Sequence, residues 1–431
     1  MAASKPTKPV TIYGLKGMTN LSAPPAPLVD RRGQATPHFC VNCDVMDSGV
    51  AKKATGYSLA QSLSGLHSLA GEEMGLSVFM GVRDGVLYRL EPASKSWTAL
   101  VSVGPKSQMT YAEVNQKVYC ASAYWRGVYN LITGAMESWG LPVPEVAPEI
   151  SLVPGNLPPG RYSICYTRFS GDLLSGNGPI RIIEFQDQTQ GLQLNNLAAD
   201  FLVYLTQVNG GPLFLAEVNS SNQITAAVPD FNPLKSLNTV PPPNFSHFAF
   251  ANGRFWGVSG RNLYHSEPNE YGDFGWFTRK VDTFLEELVM VASFNAGLYV
   301  SSRTSTWALK GTEPEKMVVE RVGGGATPGT LTLAQIPAKL AGGAVPTQDF
   351  GELSMMPTPV WRSPQGWVVG THGGHLTLIT DRRLKVSGRQ QGASLFRTQE
   401  GVPQIITSLW GVAQGLDDET KLIFADGKLF N

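Results

Sequence analysis

Charge is scarce in this chain, and what little there is cancels. Of 431 residues only 16% are charged, 34 acidic against 34 basic. A net-neutral chain has no general electrostatic grip on a phosphate backbone, which argues against a non-specific nucleic-acid binder while leaving a local basic ring open. The basic residues near the start (Lys5, Lys8, Lys16, Arg31, Arg32, Lys52, Lys53) read as a solvated arm. Cysteine is also rare. Cys40, Cys43, Cys120 and Cys165 are too few and too scattered for a disulfide framework. No run approaches the roughly 18 continuous apolar residues of a membrane span, and no apolar signal core opens the chain. The expectation is a soluble protein made in the cytoplasm, without stable membrane insertion. Helical patterns are short, Leu331–Leu340 being an example. Few charges on a chain that is 42% hydrophobic imply a surface covered in good part by partners.

Turns and short strands take the place of helices, as 46 glycines and 30 prolines indicate. One turn-and-strand phrase recurs. It reads Arg83-Asp84-Gly85-Val86-Leu87-Tyr88, then Val114-Asn115-Gln116-Lys117-Val118-Tyr119. It returns as Ala251-Asn252-Gly253-Arg254-Phe255-Trp256, as Phe294-Asn295-Ala296-Gly297-Leu298-Tyr299 and as Ser363-Pro364-Gln365-Gly366-Trp367-Val368. Asn, Asp and Gly take the positive φ angles of tight hairpins, and the apolar-aromatic residues that follow suit a pleated, half-buried strand. Hairpins repeated along one chain predict an all-β protein with a β-propeller core. The first two copies stand about 30 residues apart, short of the roughly 40–45 of a complete blade, so the blade boundaries are not set by the repeat. A propeller is a scaffold, and its function has to be argued from what is grafted onto it.

Four segments are expected. Residues 1–56 form an extended N-terminal arm, since the prolines of Ala23-Pro24-Pro25-Ala26-Pro27 remove backbone donors and favour extended geometry. Residues 57–147 are the first part of the propeller, ending in the linker Leu141-Pro142-Val143-Pro144. Residues 148–240 are an inserted fibronectin- or immunoglobulin-like β-sandwich. There Leu157 to Phe169 alternates as a strand with one buried face. Turns are expected at Ser170-Gly171-Asp172 and Ser175-Gly176-Asn177-Gly178-Pro179, and strands at 180–185, 191–194, 201–206 and 213–218. Residues 241–431 complete the propeller, with a closing hairpin at 420–430.

No catalytic, cofactor or metal residue is assigned. Cys40-x-x-Cys43, preceded by His38, lacks the second ligand pair of a structural zinc site and the helix start of a redox motif. His372-Gly373-Gly374-His375 has Asp381 as its nearest acid in sequence and reads as a turn. Gly324 to Thr330 echoes a phosphate loop without its lysine and is expected to be a flexible loop. A carbohydrate-active propeller needs two converging carboxylates. Asp84, Glu113, Asp282, Glu286 and Glu287 are available, but none sits in a motif. Tyr88, Trp256, Tyr299 and Trp367 offer a sugar-stacking platform or, at one recurring strand position, packing between blades.

The phrase Gly14-Leu15-Lys16-Gly17-Met18-Thr19-Asn20 is followed by Asn42-Cys43-Asp44, Asp47-Ser48-Gly49 and Lys53-Ala54-Thr55-Gly56. Then come the stretch Tyr111 to Tyr119, the opening Pro158-Pro159-Gly160-Arg161-Tyr162, Leu263-Tyr264-His265-Ser266-Glu267-Pro268 and Gly311 to Met317. In this order the phrases resemble tailed-bacteriophage virion proteins of the β-propeller tail nozzle or tail-hub type. Those enter the first blade through a basic-Pro-Gly step; Thr55 stands here in place of that proline. The resemblance implies a non-enzymatic structural protein of the phage tail, assembled in the host cytoplasm. Its expected partners are copies of itself in a ring, the head-to-tail adaptor and other tail proteins or fibres. Viral DNA would be retained above the ring and pass through it without sequence-specific binding. The alternative is a receptor- or glycan-binding propeller at the tail tip.

Overall fold

The computed structural model describes residues 43–45, 51–53, 65–71, 75–91, 93–105, 108–186, 189–229, 232–275, 280–336, 341–342, 357–379, 391–399, 402–410, 418–425 and 428–430. Apart from the short strands Cys43–Val45 and Ala51–Lys53, which pair antiparallel, the expected arm lies outside these residues. The elements with full bounds among them are β-strands and one 3-10 turn, Pro314–Lys316; Ala341 is the single described α-helical position. The protein is all-β, as its turn chemistry predicts. Its repeating unit is a four-stranded antiparallel meander, the blade of a β-propeller, and a β-sandwich is inserted in the chain between two such meanders.

The repeated phrase builds the tight turns of these meanders. Asp84 and Gly85 have φ of 50° and 74°, Asn115 and Gln116 52° and 59°, and Asn252 and Gly253 53° and 71°. Positive φ at both central residues is the type I′ geometry that matches strand twist. The irregular spacing of the copies now has a cause. Asp84-Gly85 joins the second and third strands of its sheet, whereas Asn115-Gln116 joins a first strand to a second. One turn phrase serves two positions in the meander, so its interval is not the blade interval.

The chain divides into two compact units, residues 1–113, 246–249 and 284–431 in one and residues 114–245 and 250–283 in the other. In the first unit, Leu288–Phe294, Gly297–Ser302, Ser305–Lys310 and Val318–Gly324 form one meander. Thr332–Ala334, Thr358–Ser363, Gly366–Gly370 and Leu376–Leu378 form the next, and Gln391–Gln399 to Lys428–Phe430 another. The middle one is apolar on both faces. Trp361 and Val368 pack with Met290, Phe294, Tyr299 and Ala308 of the preceding sheet. Val360, Trp367 and Val369 pack on the other side with Ile405 of the following one. The helical candidate Leu331–Leu340 is corrected over its first part: Thr332–Ala334 is a strand paired with Thr358–Val360, while 337–340 lie outside the described residues and Ala341 just beyond them is helical. Strand pairing over a buried face outweighs a weak local helix preference. The hairpin expected at the end of the chain is present, Ala425 opposite Lys428.

The second unit holds the sandwich. Ile150–Leu157, Gln190–Leu194 and Gln223–Ile224 make one sheet; Leu173–Asn177, Gly160–Ser170, Arg181–Phe185, Phe201–Thr206 and Leu213–Leu215 make the other. Both feed one core through Leu157, Tyr162, Ile164, Tyr166, Leu192, Val203 and Leu205. Two expectations are revised. Gly160–Ser170 is buried on both faces between Ile164 and Thr167, because Cys165 meets Tyr204, Leu213 and Leu234 on the back of the sheet. Ser175 to Asn177 is strand rather than turn. Gly176 is required there by close approach, since a Cβ would run into the Thr239 carbonyl.

The sandwich leaves and rejoins its surroundings through an aromatic knot. Trp139 sits 5.0 Å from Tyr119, 5.1 Å from Phe255 and 5.8 Å from Phe245, ring centre to ring centre. Its indole N–H donates to the Tyr271 carbonyl at 2.7 Å. Next to it Gly140 lies against Pro241 and Pro242, so the outgoing and returning strands are packed together.

Packing between meanders sets the expected cost of disturbing them. A Cβ at Gly370 would lie 2.6 Å from Tyr299 and 2.8 Å from Trp361. Gly370→Ala is expected to cost about 1–3 kcal/mol by overpacking, and Trp361→Ala about 3–5 kcal/mol by leaving a cavity. Urea denaturation of the two variants measures both; an unchanged midpoint for Gly370→Ala would contradict the close approach.

Candidate functional site

Three of the five carboxylates that a hydrolytic site would use, Asp84, Glu113 and Glu286, are tied to local structural tasks. Asp84 pairs with Arg83 at 3.1 Å beside its turn. Glu113 accepts both the backbone N–H and the hydroxyl of Ser77 at 2.6 Å. Glu286 accepts the hydroxyls of Ser302 and Thr304, and these bonds, Ser302 first, hold its carboxyl below the usual range. Glu287 is exposed next to it, and Asp282 stands opposite Leu263 in a strand ladder. Ser302 in turn accepts the N–H groups of Thr304 and Ser305. This is a hydroxyl-capped turn between two strands, with Glu286 as its outer acceptor.

The two histidines of the His-Gly-Gly-His turn do different things. His372 is buried; its Nδ1 accepts the Asn295 N–H at 3.3 Å and its Nε2 lies 3.1 Å from the Thr358 hydroxyl. His375 has an exposed ring, while its carbonyl receives the Thr371 N–H at 2.9 Å. The Tyr299 hydroxyl closes the same turn, donating to the Thr371 carbonyl at 2.6 Å and lying 2.9 Å from that of His375. Both ring nitrogens of His372 are thus engaged in holding strands. Among the described residues no three His, Cys, Asp or Glu side chains are grouped to hold a metal. His38, Cys40 and Asp381 lie outside those residues.

Gly324 to Thr330 is a packed segment, contrary to the expected flexible loop. Ala326 donates to the Ser302 carbonyl at 2.9 Å and Thr327 to that of Arg362 at 2.7 Å, and the Thr330 hydroxyl donates to Thr327. Gly325 leaves room for the Arg303–Thr304 backbone. The recurring aromatics are core. Trp256, Tyr299 and Trp367 are buried and Tyr88 half-buried, so they present no stacking platform. Cys120 and Cys165 are buried, and desolvation raises both thiols, that of Cys165 to about 12. A thiol kept protonated is a poor nucleophile.

Among the described residues the surface presents, with other exposed apolar side chains, apolar strand edges and an aromatic turn. Ile182 is 53% exposed on Arg181–Phe185, which borders its sheet, and Val318 is 63% exposed on Val318–Gly324, the outer strand of its meander. In the turn between Lys117–Ala121 and Arg126–Asn130, Ser122 accepts the N–H groups of Tyr124 and Trp125. Trp125 lies over Gly127, and Tyr124 stands 66% exposed. Arg126 beside them donates to the Asn244 side chain at 3.0 Å. Exposed large apolar side chains carry no catalytic pattern that spacing reveals. The adjacent pair Ile182-Ile183, flanked by Arg181 and Glu184, puts an apolar residue on each face of the strand and was the available signal for the first edge.

No family model and no curated protein matches the chain. Among solved structures, it is similar to Hsv2 of Kluyveromyces lactis (10% identity, 82% of this chain and 93% of that one, TM-score 0.28). It is also similar to the N-terminal domain of Nup159 (10%, 53% and 57%, 0.25). A third is PorZ of Porphyromonas gingivalis, an essential bacterial surface component of the type-IX secretion system (8%, 82% and 37%, 0.25). The chain thus spans about a third of PorZ and somewhat over half of the Nup159 domain. At this identity and TM-score nothing about activity or partners transfers, and the fold rests on the chain's own sheets.

Two half-buried titratable groups are expected to give the protein opposed pH responses. Burial lowers the imidazole of His247, whose Nδ1 accepts the Val291 N–H, from 6.5 to about 4. The unfolded chain then binds more protons between about pH 4 and 6.5, so stability from His247 rises with pH across that window. Asp273 is raised by burial from 3.8 to about 6, against the Thr239 hydroxyl bond that lowers it. Here the folded chain binds more protons, so stability from Asp273 falls as pH rises from about 3.8 to 6. Thermal melts from pH 4 to 7 are expected to show His247→Gln losing the rising component and Asp273→Asn losing the falling one.

Proposed function

We propose that this chain is a structural component of a bacteriophage tail, of the nozzle or hub type, working as a ring of copies through which the genome is retained and released. The observation that carries this reading is the ordered run of turn phrases from Gly14 to Met317 that resembles that family. Three features of the structure support it. A meander buried on both faces between its two neighbours makes a stiff block suited to a structural part. The sandwich adds a second body with its own exposed edge. The neutral balance of charge suits a conduit, because a strongly basic wall would hold DNA rather than let it pass. In this role the adaptor and other tail proteins or fibres are the neighbours, DNA passes transiently, and the protein resides in the virion.

One observation favours a second reading. Tyr124 and Trp125, held on a fixed turn with Arg126 alongside, are the kind of aromatic surface that stacks on a sugar ring. That points to receptor or glycan binding at the tail tip.

Electron microscopy of intact virions, with light scattering on the purified protein, separates the two. A closed ring of copies in the tail is the expected result. A protein absent from the virion, or present as a monomer or trimer on a fibre, would sink the ring. In that case Tyr124→Ala should weaken glycan-array binding at least about tenfold, as loss of an aromatic hot spot does.

A further inference from the structure

We infer that neighbouring copies join by strand addition, the sandwich edge Arg181–Phe185 of one copy pairing antiparallel with the outer meander edge Val318–Gly324 of the next. The inference rests on the ring reading above and names the surfaces that would make it. Both strands border their sheets: Arg181–Phe185 pairs only with Gly160–Ser170, and Val318–Gly324 only with Ser305–Lys310, among the described residues. Each therefore offers one row of backbone donors and acceptors to a new strand. Each also shows apolar side chains to solvent, Ile182 on one with Ile180 just before its start, Val318 and Val319 on the other. Exposed apolar edge is what a soluble chain avoids unless something covers it.

Charge identifies the occupant. Successive side chains alternate between the faces of a strand, and residues directly opposite each other in a ladder share a face. Arg181 and Glu184 are three apart, Glu320 and Arg321 one apart, so in each strand the acid and the base project to opposite faces. Laid on its own copy about a two-fold axis, neither strand can bring its base opposite its acid. Laid on each other they can. The register that sets Arg181 opposite Glu320 also sets Ile182 opposite Val319 and Ile183 opposite Val318. Glu320 already holds Lys310 at 2.7 Å with half of its side chain still exposed, and Arg181 donates to the Pro148 carbonyl at 3.1 Å. Each retains room for a further partner. An interface between two different edges is heterologous, the kind that generates rings, whereas either edge paired with itself would stop at a dimer.

The test is a charge exchange on the full-length protein, read by light scattering and sedimentation. Arg181→Glu and Glu320→Arg are each expected to weaken self-association at least tenfold, and the double variant to restore it. Separately, Ile182→Cys and Val319→Cys proteins are mixed under oxidising conditions. They are expected to form a disulfide between copies, which neither forms alone, because opposite residues in a ladder lie within bridging distance. This cross-link decides the matter if a charge variant fails to fold. Association that ignores the exchange, with no cross-link, would overturn this interface and leave the ring reading intact. A monomeric protein found in virions beside another tail component would also overturn it, that component then being the cover. A monomer absent from virions would remove both this interface and the ring.

Discussion

A meander with two apolar faces cannot stand alone, and most of this structure follows from that. The sheet around Thr358–Ser363 and Gly366–Gly370 turns Trp361 to one neighbour and Trp367 to the other. Removing either face from water requires a second sheet on that side, so the blade is stable only in a stack. Buried hydroxyls finish the joints. The Thr330 hydroxyl donates to the Thr327 carbonyl and accepts the Arg362 N–H, and the Thr306 hydroxyl donates to the Gly324 carbonyl, where one sheet passes into the next. This is why a segment with three successive glycines is packed rather than loose.

The same logic explains how a sandwich is accommodated in the middle of the chain. Its stems meet in the aromatic knot around Trp139, where Tyr119, Phe245, Phe255 and Tyr271 close over the insertion point. The sandwich keeps its own core, so inserting it costs the surrounding sheets little beyond the join. A five-stranded sheet with a second apolar cluster on its back, at Cys165, Tyr204 and Leu234, is held on more than one side. That leaves Arg181–Phe185 as a border with its outer residues in water.

Several polar groups near the meander turns are engaged in local structure. Glu286 caps a turn, His372 spans two strands, and the Tyr299 hydroxyl locks the turn beside it; each is consumed by its own neighbours. Among the described residues, exposed apolar strand edges and the Tyr124 turn suit contact with other molecules. A structural role in an assembly uses both, and an edge that matches another edge on the same chain allows assembly by a single kind of subunit.

The sequence by itself determined the all-β class, the type I′ turns and the existence of an inserted sandwich. These depend on local φ preference and on a period of two, which neighbouring residues specify among themselves. The strand Phe201–Thr206 and the final hairpin were legible for that reason. Three-dimensional packing decided the rest. Ser175 to Asn177 carries turn-forming residues, yet it is strand because the Thr239 backbone approaches Gly176. Thr332–Ala334 became strand because Thr358–Val360 was there to pair with it. Whether Trp256, Tyr299 and Trp367 faced water or another sheet, and which strands ended as edges, depended on segments far away in the chain. No local spacing encodes the absence of a neighbour, so the exposure of Ile182 and Val318 became visible only once the sheets were assembled.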